Sequence, residues 1–358
     1  MSHAHDEIFG QAAAWRSALE RAFEQWTVLG RSVHVDSRTQ FLLVGSGSSL
    51  HIALTAAHCI QELTSRVARA VASSEVFLSS ASTVPRNVPV IALVISRSGE
   101  TTEALIAADY LRSSFENVTV VAVTCNTSTS LEERSHHAIT IPEAAERSVV
   151  MTRSFTSMFL ALQVVGALTA RSDAVLAELR SLPSLLDDCM TDFDRFGRLV
   201  GVAPEEDQYI YLGLGAYEGL AQEGTLKLKE MTQTASEAYN PLEFRHGPIS
   251  IVRPGTTAII LEGEREHRYM ADVESDLSGH GARVAVIAPH APSAADLSVR
   301  LPEGLSDVAR CALYVPPLQL IAYHRTLAAH LDPDQPRNLT QVVVLETGAD
   351  EEEHSRTK

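Results

Sequence analysis

Basic residues are scarce in this sequence: 29 lysines and arginines stand against 45 aspartates and glutamates, a formal net charge of −16. So acidic a chain is ill-suited to a polyanion, which argues against nucleic-acid binding as its main task, although local positive sites can still hold a small anion. Part of the excess lies in the tail Asp350-Glu351-Glu352-Glu353. Long apolar runs are missing too. No stretch of about 18 apolar residues occurs and no signal peptide is evident, so no membrane span is expected and the expected location is the cytoplasm. Cysteine is sparse: Cys59, Cys125, Cys189 and Cys311 lie far apart with no CxxC pair. They read as free thiols of a reducing compartment. No histidine, cysteine and aspartate cluster at ligand spacing stands out, so neither a metal nor a cofactor is expected. His3 and His5 read as part of a flexible end. What is present in ordinary measure is the makings of a core, with 45% hydrophobic residues in 358, enough for one or two domains.

The stretch that organises the rest is Val90 to Thr102, an apolar, β-branched run that ends in Ser96-Arg97-Ser98-Gly99-Glu100-Thr101. It predicts a buried strand, a tight turn and a helix N-terminus. A helix N-terminus exposes unpaired N–H groups at the positive end of the macrodipole, and the hydroxyls of Ser96, Ser98 and Thr101 surround them. This suits an anion, most simply a phosphate. No lysine follows the turn, so it is not a nucleotide P-loop. Ser98 or Thr101 could equally be a plain helix cap. A second unit weighs against that reading. Phe41 to Gly45 predicts a short strand running into Ser46-Gly47-Ser48-Ser49 and a helix from Leu50 to about Ala70. Two hydroxyl-rich turns at strand ends could converge on one phosphate.

Elsewhere in the first half, helical spacing is predicted over Asp6–Gly30 and Ser154–Ala170, and strands at Val76–Leu78, Val118–Thr124 and His137–Ile141. Ser172–Val202 reads as a helical bridge interrupted by Pro183. The pattern then restarts with strands at Tyr209–Gly213, Thr257–Glu262 and Arg283–Ala288 and a long helix after Leu214-Gly215-Ala216. An internal duplication of one α/β unit with a parallel sheet follows. The halves differ where it matters. Leu261-Glu262-Gly263-Glu264-Arg265 replaces the Ser96 turn, and its carboxylates would repel a phosphate, leaving the anion to the first half. The second half contributes Glu223, Lys227 and Glu230 on one helical face, and a polar loop Glu243-Phe244-Arg245-His246-Gly247-Pro248. A solvated i,i+4 pair is the plain reading of Glu223 and Lys227; the apolar Leu220, Leu226, Leu228 and Met231 around that helix argue that it is buried on several sides.

Lys227-Leu-Lys-Glu230 followed by His246-Gly-Pro, together with Ser96-Arg-Ser-Gly-Glu-Thr101, resembles tandem sugar isomerase (SIS) domains as in the isomerase half of glucosamine-6-phosphate synthase. Gln11 to Trp15, Glu146 to Ser157 and Phe244 to Pro248 resemble the tagatose-6-phosphate ketose/aldose isomerase-like group, also called galactosamine-6-phosphate isomerase/deaminase. The resemblance runs from about Asp6 to Glu346. It implies an α/β fold of two flavodoxin-like three-layer SIS domains. The expected boundaries are an N-terminal helical segment 1–35, a phosphate-binding SIS domain 36–175, a helical linker 176–204, a catalytic SIS domain 205–346 and a disordered tail 347–358.

By the same resemblance Gly47, Ser48, Ser49, Ser96, Arg97, Ser98 and Thr101 bind the sugar phosphate. Glu230 is the base, His246 assists ring opening from a neighbouring subunit, and Lys227 and Glu223 line the site. A homodimer with shared sites is therefore expected. Arg97 either meets the phosphate bidentately or pairs with an acidic neighbour. One departure stands out. After Pro336-Arg337-Asn338-Leu339, Gln341 takes the place of the synthase's lysine, and a glutamine cannot form a Schiff base. A glutamine-hydrolysing domain ahead of the first lobe is not expected.

The residue types suit aldose–ketose chemistry independently. A glutamate on a rigid helix can move a proton from a carbon beside a carbonyl to the next atom, burial adjusting its basicity, while Lys227 and His246 face the enediol oxygens. The expected enzyme is a phosphosugar isomerase for a hexose or aminohexose 6-phosphate, with or without deamination. The alternatives are fructosamine-6-phosphate deglycation and a non-catalytic phosphosugar-binding regulator.

Overall fold

A computed structural model describes residues 2–33, 35–203, 206–292 and 295–345. The expected tail 347–358 lies outside the described residues. Ten strands form two sheets: β1 (Gln40–Gly45), β2 (Ala68–Ala72), β3 (Val90–Ile95), β4 (Val118–Thr124) and β5 (His137–Thr140), then β6 (Gln208–Gly213), β7 (Ala235–Tyr239), β8 (Thr256–Leu261), β9 (Arg283–Ala288) and β10 (Leu297–Arg300). Eight helices longer than ten residues accompany them among the described residues: α1 (Gln11–Leu29), α2 (Ser48–Thr64), α3 (Thr102–Ser114), α4 (Arg153–Ala170), α5 (Asp173–Gly201), α6 (Ala216–Thr232), α7 (His267–Gly279) and α8 (Val315–Ala328).

The first sheet has the order β2-β1-β3-β4-β5 and the second, read from its other edge, β7-β6-β8-β9-β10; every pairing is parallel. These are the same topology, and even the register agrees, with Gln40 opposite Val90 in one sheet and Gln208 opposite Thr256 in the other. The duplication expected from the sequence is real. A parallel sheet covered on both faces buries its central strands completely, which explains why β3 is apolar at all six positions. Alternate residues serve different cores. Phe41 and Leu43 face a large core that also takes in Tyr209 and Tyr211 of the second sheet, so the two lobes share one interior. Leu42 and Val44 face the outer layer under α3, and Ile210 and Leu212 the outer layer under α7.

Several local expectations change. Asp6–Gly30 is not one helix: a short helix His3–Phe9 ends at Gly10 and α1 begins at Gln11. The histidine-rich start is ordered rather than loose, because Asp334 accepts from the backbone N–H groups of His3 and Ala4 at 2.7 and 2.8 Å. Val76–Leu78 is not a strand but the end of a helical turn, Ser73–Leu78; the strand beside β1 is Ala68–Ala72, and α2 stops at Thr64. Pro183 does not interrupt α5, which runs unbroken for 29 residues. Proline removes one helical hydrogen bond, but here it is buried on a helix whose Leu179, Leu182 and Leu186 pack into the shared core. All four cysteines are free thiols.

Candidate functional site

In a doubly wound sheet the crevice opens at the carboxyl ends of the two strands where the order reverses. In the first lobe these are β1 and β3. The chain leaves β1 through Gly47, whose φ of +56° is a conformation that side-chain-bearing residues avoid, and enters α2 at Ser48. Gly215 makes the same turn between β6 and α6 at φ +60°. After β3, Ser96 Oγ accepts from the Gly99 N–H at 3.1 Å and lies 3.3 Å from Thr101 Oγ1, while Ser98 Oγ accepts from the Glu100 N–H. Thr101 is the N-cap of α3, yet its hydroxyl caps no helical N–H.

These two turns close one cavity of about 180 Å³. Gly47, Ser48, Ser49, Ser96, Arg97, Ser98 and Thr101 all line it, together with Glu230 from the second lobe and Thr340, Gln341 and Val343 from an irregular strap of chain that follows α8. The seven residues expected to hold a phosphate and the expected base thus meet in one place, although Glu230 lies far from them in sequence. The strap is pinned over the site: Thr102 N–H donates to Val343 O, Leu345 N–H to Thr102 Oγ1, and Gln341 Nε2 to the carbonyls of Arg147 and Ser148 at 2.9 and 3.1 Å.

Glu230 reaches the cavity because α6 lies against α2. At their crossing, a Cβ on Gly219 would fall 2.4 Å from Thr55 Oγ1 and 2.9 Å from His51 O, so only glycine permits the approach. The contact carries a buried polar cluster. Lys227 and Glu223 are each about 1% exposed. Lys227 Nζ lies 3.4 Å from Glu223 Oε1 and bonds the half-buried Glu230. Ser48 Oγ donates to Glu223 Oε1 at 3.0 Å, and His51 Nδ1 lies 2.9 Å from Glu223 Oε2. Burial pulls the Lys227 pKa down, but the two carboxylates and their hydrogen bonds outweigh it, so the ammonium is held above its ordinary value. The Glu223–Lys227 pair is therefore not a solvated surface stripe.

Arg97 and His246 are placed differently from the other expected residues. Arg97 lines the cavity, and its guanidinium is held by protein partners. It meets buried Glu146 at 3.3 Å, and it donates to the carbonyls of Ser148, Val149 and Gln341. Of its two alternatives, the acidic neighbour is the one present. Glu146 in turn accepts from the Thr152 N–H and Oγ1, both at 2.7 Å, and from the Ser154 N–H at 3.0 Å. His246 is exposed on the loop after the short helix Pro241–Phe244 and is not among the residues lining the cavity. Sequence reasoning missed His51, one turn into α2 from Ser48, and Glu103, whose Oε2 is buried without a hydrogen-bond partner beside the cavity. His51 had a legible signal, since i and i+3 share a helical face; Glu103 had none. A larger cavity of about 350 Å³ between α1, α4 and α5 is lined mainly by Leu19, Phe23, Val164, Leu176, Leu179 and Pro183 and gathers no hydroxyl cradle.

The second lobe's turn after β8 is different in kind. Glu264 pairs with Arg310 at 2.8 Å, and Glu262 is buried beside His267 and His290. The sequence suggested no metal-ligand grouping; the fold assembles one from three separate places, Glu262, His267 and His290.

The SIS domain model matches residues 35–168 and again 204–325, one match for each sheet. The chain belongs to the SIS-domain family. Among curated relatives it is 26% identical over 337 residues to glutamine–fructose-6-phosphate aminotransferase (isomerizing) of Methanothermobacter thermautotrophicus, covering 92% of this chain and 56% of that protein. It is 29% identical to the Pseudomonas aeruginosa protein of that name, covering 95% and 58%. The chain thus spans little more than half the length of these relatives. Among solved structures, glucosamine-6-phosphate deaminase of Thermotoga maritima superposes with a TM-score of 0.82 at 26% identity, over 96% of this chain and all of that one. Tagatose-6-phosphate ketose/aldose isomerase of Escherichia coli superposes at 0.86 with 22% identity, over 96% of each chain, a likeness of fold. The tandem SIS architecture is therefore established from two directions. No described helix is long and apolar enough to cross a membrane.

Proposed function

We propose that this SIS-domain chain is a phosphosugar isomerase that acts on a hexose or aminohexose 6-phosphate, working in the cytoplasm as a homodimer with shared sites. The observation that carries the reading is that the Glu230 carboxylate, anchored by a buried lysine, lines the same cavity as two hydroxyl-rich helix N-termini. The turns at Ser46–Ser49 and Ser96–Thr101 hold the phosphate through hydroxyls, N–H groups and the helix dipoles. Remote binding energy then fixes the sugar so that C1 and C2 reach Glu230. Once the ring is open, Glu230 removes the proton from C2 and returns it to C1, and the enediol oxygens take donors from the site. The exposed His246 assists ring opening in the site of the neighbouring subunit. Gln341, tied to backbone carbonyls, offers no amine for a Schiff base, so proton transfer through Glu230 suffices without imine chemistry at that position. With an aminohexose phosphate the same proton transfer converts the C2 amine into a C2 imine, which water hydrolyses to the C2 ketone with release of ammonia.

The test is incubation with glucosamine 6-phosphate, galactosamine 6-phosphate and a fructosamine 6-phosphate, following ammonia and the sugar product, beside deuterium exchange at C1 and C2. Product from a hexose or aminohexose phosphate, lowered about 10²–10⁴-fold in Glu230→Gln with binding retained, is the expected result. Free amino acid from the fructosamine would move the chain to deglycation. Saturable binding with neither turnover nor exchange would leave a phosphosugar sensor. Unchanged turnover in Glu230→Gln would remove that residue from the base's role.

A further inference from the structure

The duplication puts Glu262, the residue after β8, where Ser96 stands after β3. His267 opens α7, the counterpart of α3, and His290 follows β9 by two residues, as Asn126 follows β4. The second lobe has therefore replaced hydroxyl and amide groups at these strand ends with one carboxylate and two imidazoles. Their geometry is convergent. His267 Nδ1 lies 2.7 Å and His290 Nε2 2.9 Å from the same oxygen, Glu262 Oε1, and the ligand atoms all lie within 4.8 Å of one another. The two rings are 3.8 Å apart between centroids. The Glu262 side chain is fully buried, and its backbone is fixed by the Tyr314 hydroxyl on its carbonyl and by its own N–H donating to Ile287 O.

Hydrogen bonding accounts for only part of this arrangement: His267 Nδ1 and Glu262 Oε1 form one hydrogen bond. Glu262 Oε2 is buried with no hydrogen-bond partner, and His290 Nε2, although near Oε1, lies off the line a hydrogen bond requires and makes none. A divalent cation uses all three groups at once: two neutral imidazole nitrogens and a carboxylate oxygen. We propose that Glu262, His267 and His290 form a binding site for a divalent transition metal, with Zn²⁺ the best match. Two histidines and a glutamate are an established ligand set for it, and an open fourth position is available to water because His267 is 42% exposed. The metal would clip β8, β9 and α7 together at the end of the second sheet. The duplicated cradle would then hold an anion in one lobe and a cation in the other.

The experiment uses the full chain without an affinity tag, stripped with a chelator and titrated with Zn²⁺ by calorimetry and with Co²⁺ by visible absorption, beside thermal melts. About one Zn²⁺ per chain is expected, with a ligand-field spectrum for Co²⁺ and a Tm that rises with Zn²⁺. His267→Asn and His290→Asn, both at accessible positions, should each weaken binding at least about 100-fold while keeping the wild-type circular dichroism. Glu262→Gln is the third variant, read only if it folds. A doubly substituted His3→Ala/His5→Ala chain should bind as tightly as wild type. No saturable binding at about 100 μM metal would overturn the site, as would binding that survives both histidine variants or is lost with His3 and His5.

Discussion

Lys227 shows how much of this site depends on single residues. Its ammonium is buried between Glu223 and Glu230, and Glu223 is shared with Ser48 and His51 of the other lobe. A buried charge is tolerable only with partners; remove one partner and the other is left uncompensated. Lys227→Met should therefore destabilise the fold by about 3–5 kcal/mol, seen as a lower urea midpoint, and should free the Glu230 carboxylate to swing. Midpoints within error of wild type would mean that water reaches Glu223 more freely than its burial indicates. The spacing of Glu223, Lys227 and Glu230 was legible as one helical face. That the face meets Ser48 and His51 rather than solvent was not, since nothing local in the sequence records which helix lies opposite. Arg97 teaches the same lesson: its place in a hydroxyl-rich turn was legible, but that the Glu146 carboxylate lies against it was not.

Among the elements, the crossing of α2 and α6 is the one on which the site rests. Gly219→Val would push a side chain against Thr55 and the His51 carbonyl, and overpacking of this kind typically destabilises by about 1–3 kcal/mol. The expected outcome is a lower Tm together with weaker phosphosugar binding, because prising the helices apart withdraws Glu230 from the cavity. A melt and a binding isotherm on one preparation check both.

At the start of the second sheet, burial pushes the Glu206 pKa up, partly offset by Arg283 at 3.0 Å. With the folded pKa above the unfolded one, its contribution to stability is fully present below the unfolded pKa and is lost as pH rises through the folded one. Glu206→Gln, which does not titrate, should therefore gain in Tm relative to wild type between about pH 4 and pH 7.5. A constant difference across that range would refute the shift. Central strands were readable as apolar runs, whereas β2, β7 and β10 were not. These are edge strands, only half covered, and their sequences Ala-Arg-Ala-Val-Ala, Ala-Ser-Glu-Ala-Tyr and Leu-Ser-Val-Arg carry no buried run.

For the molecule as a whole, the exposed His246 and the cavity at Glu230 yield a prediction that neither makes alone. If two subunits complete each other's sites, Glu230→Gln and His246→Ala homodimers should each be nearly inactive. Subunits unfolded together and refolded as a mixture should recover about a quarter of wild-type activity, because half the dimers are mixed and each holds one intact site. No recovery, with mixed dimers demonstrated by mass, would place both residues in one subunit's site.

The α/β class, the duplication, the two hydroxyl-rich turns and the helical face of Glu223, Lys227 and Glu230 were all readable along the chain, because strand runs, turn residues and helical spacing are local and periodic. It took the folded arrangement to show that Ser96 and Glu230 share a cavity, that Arg97 pairs with Glu146, that Pro183 sits inside an unbroken helix and that Glu262, His267 and His290 converge. Each of these joins residues through packing of distant elements, and packing is set by the summed burial of both lobes, which leaves no periodic mark on the chain.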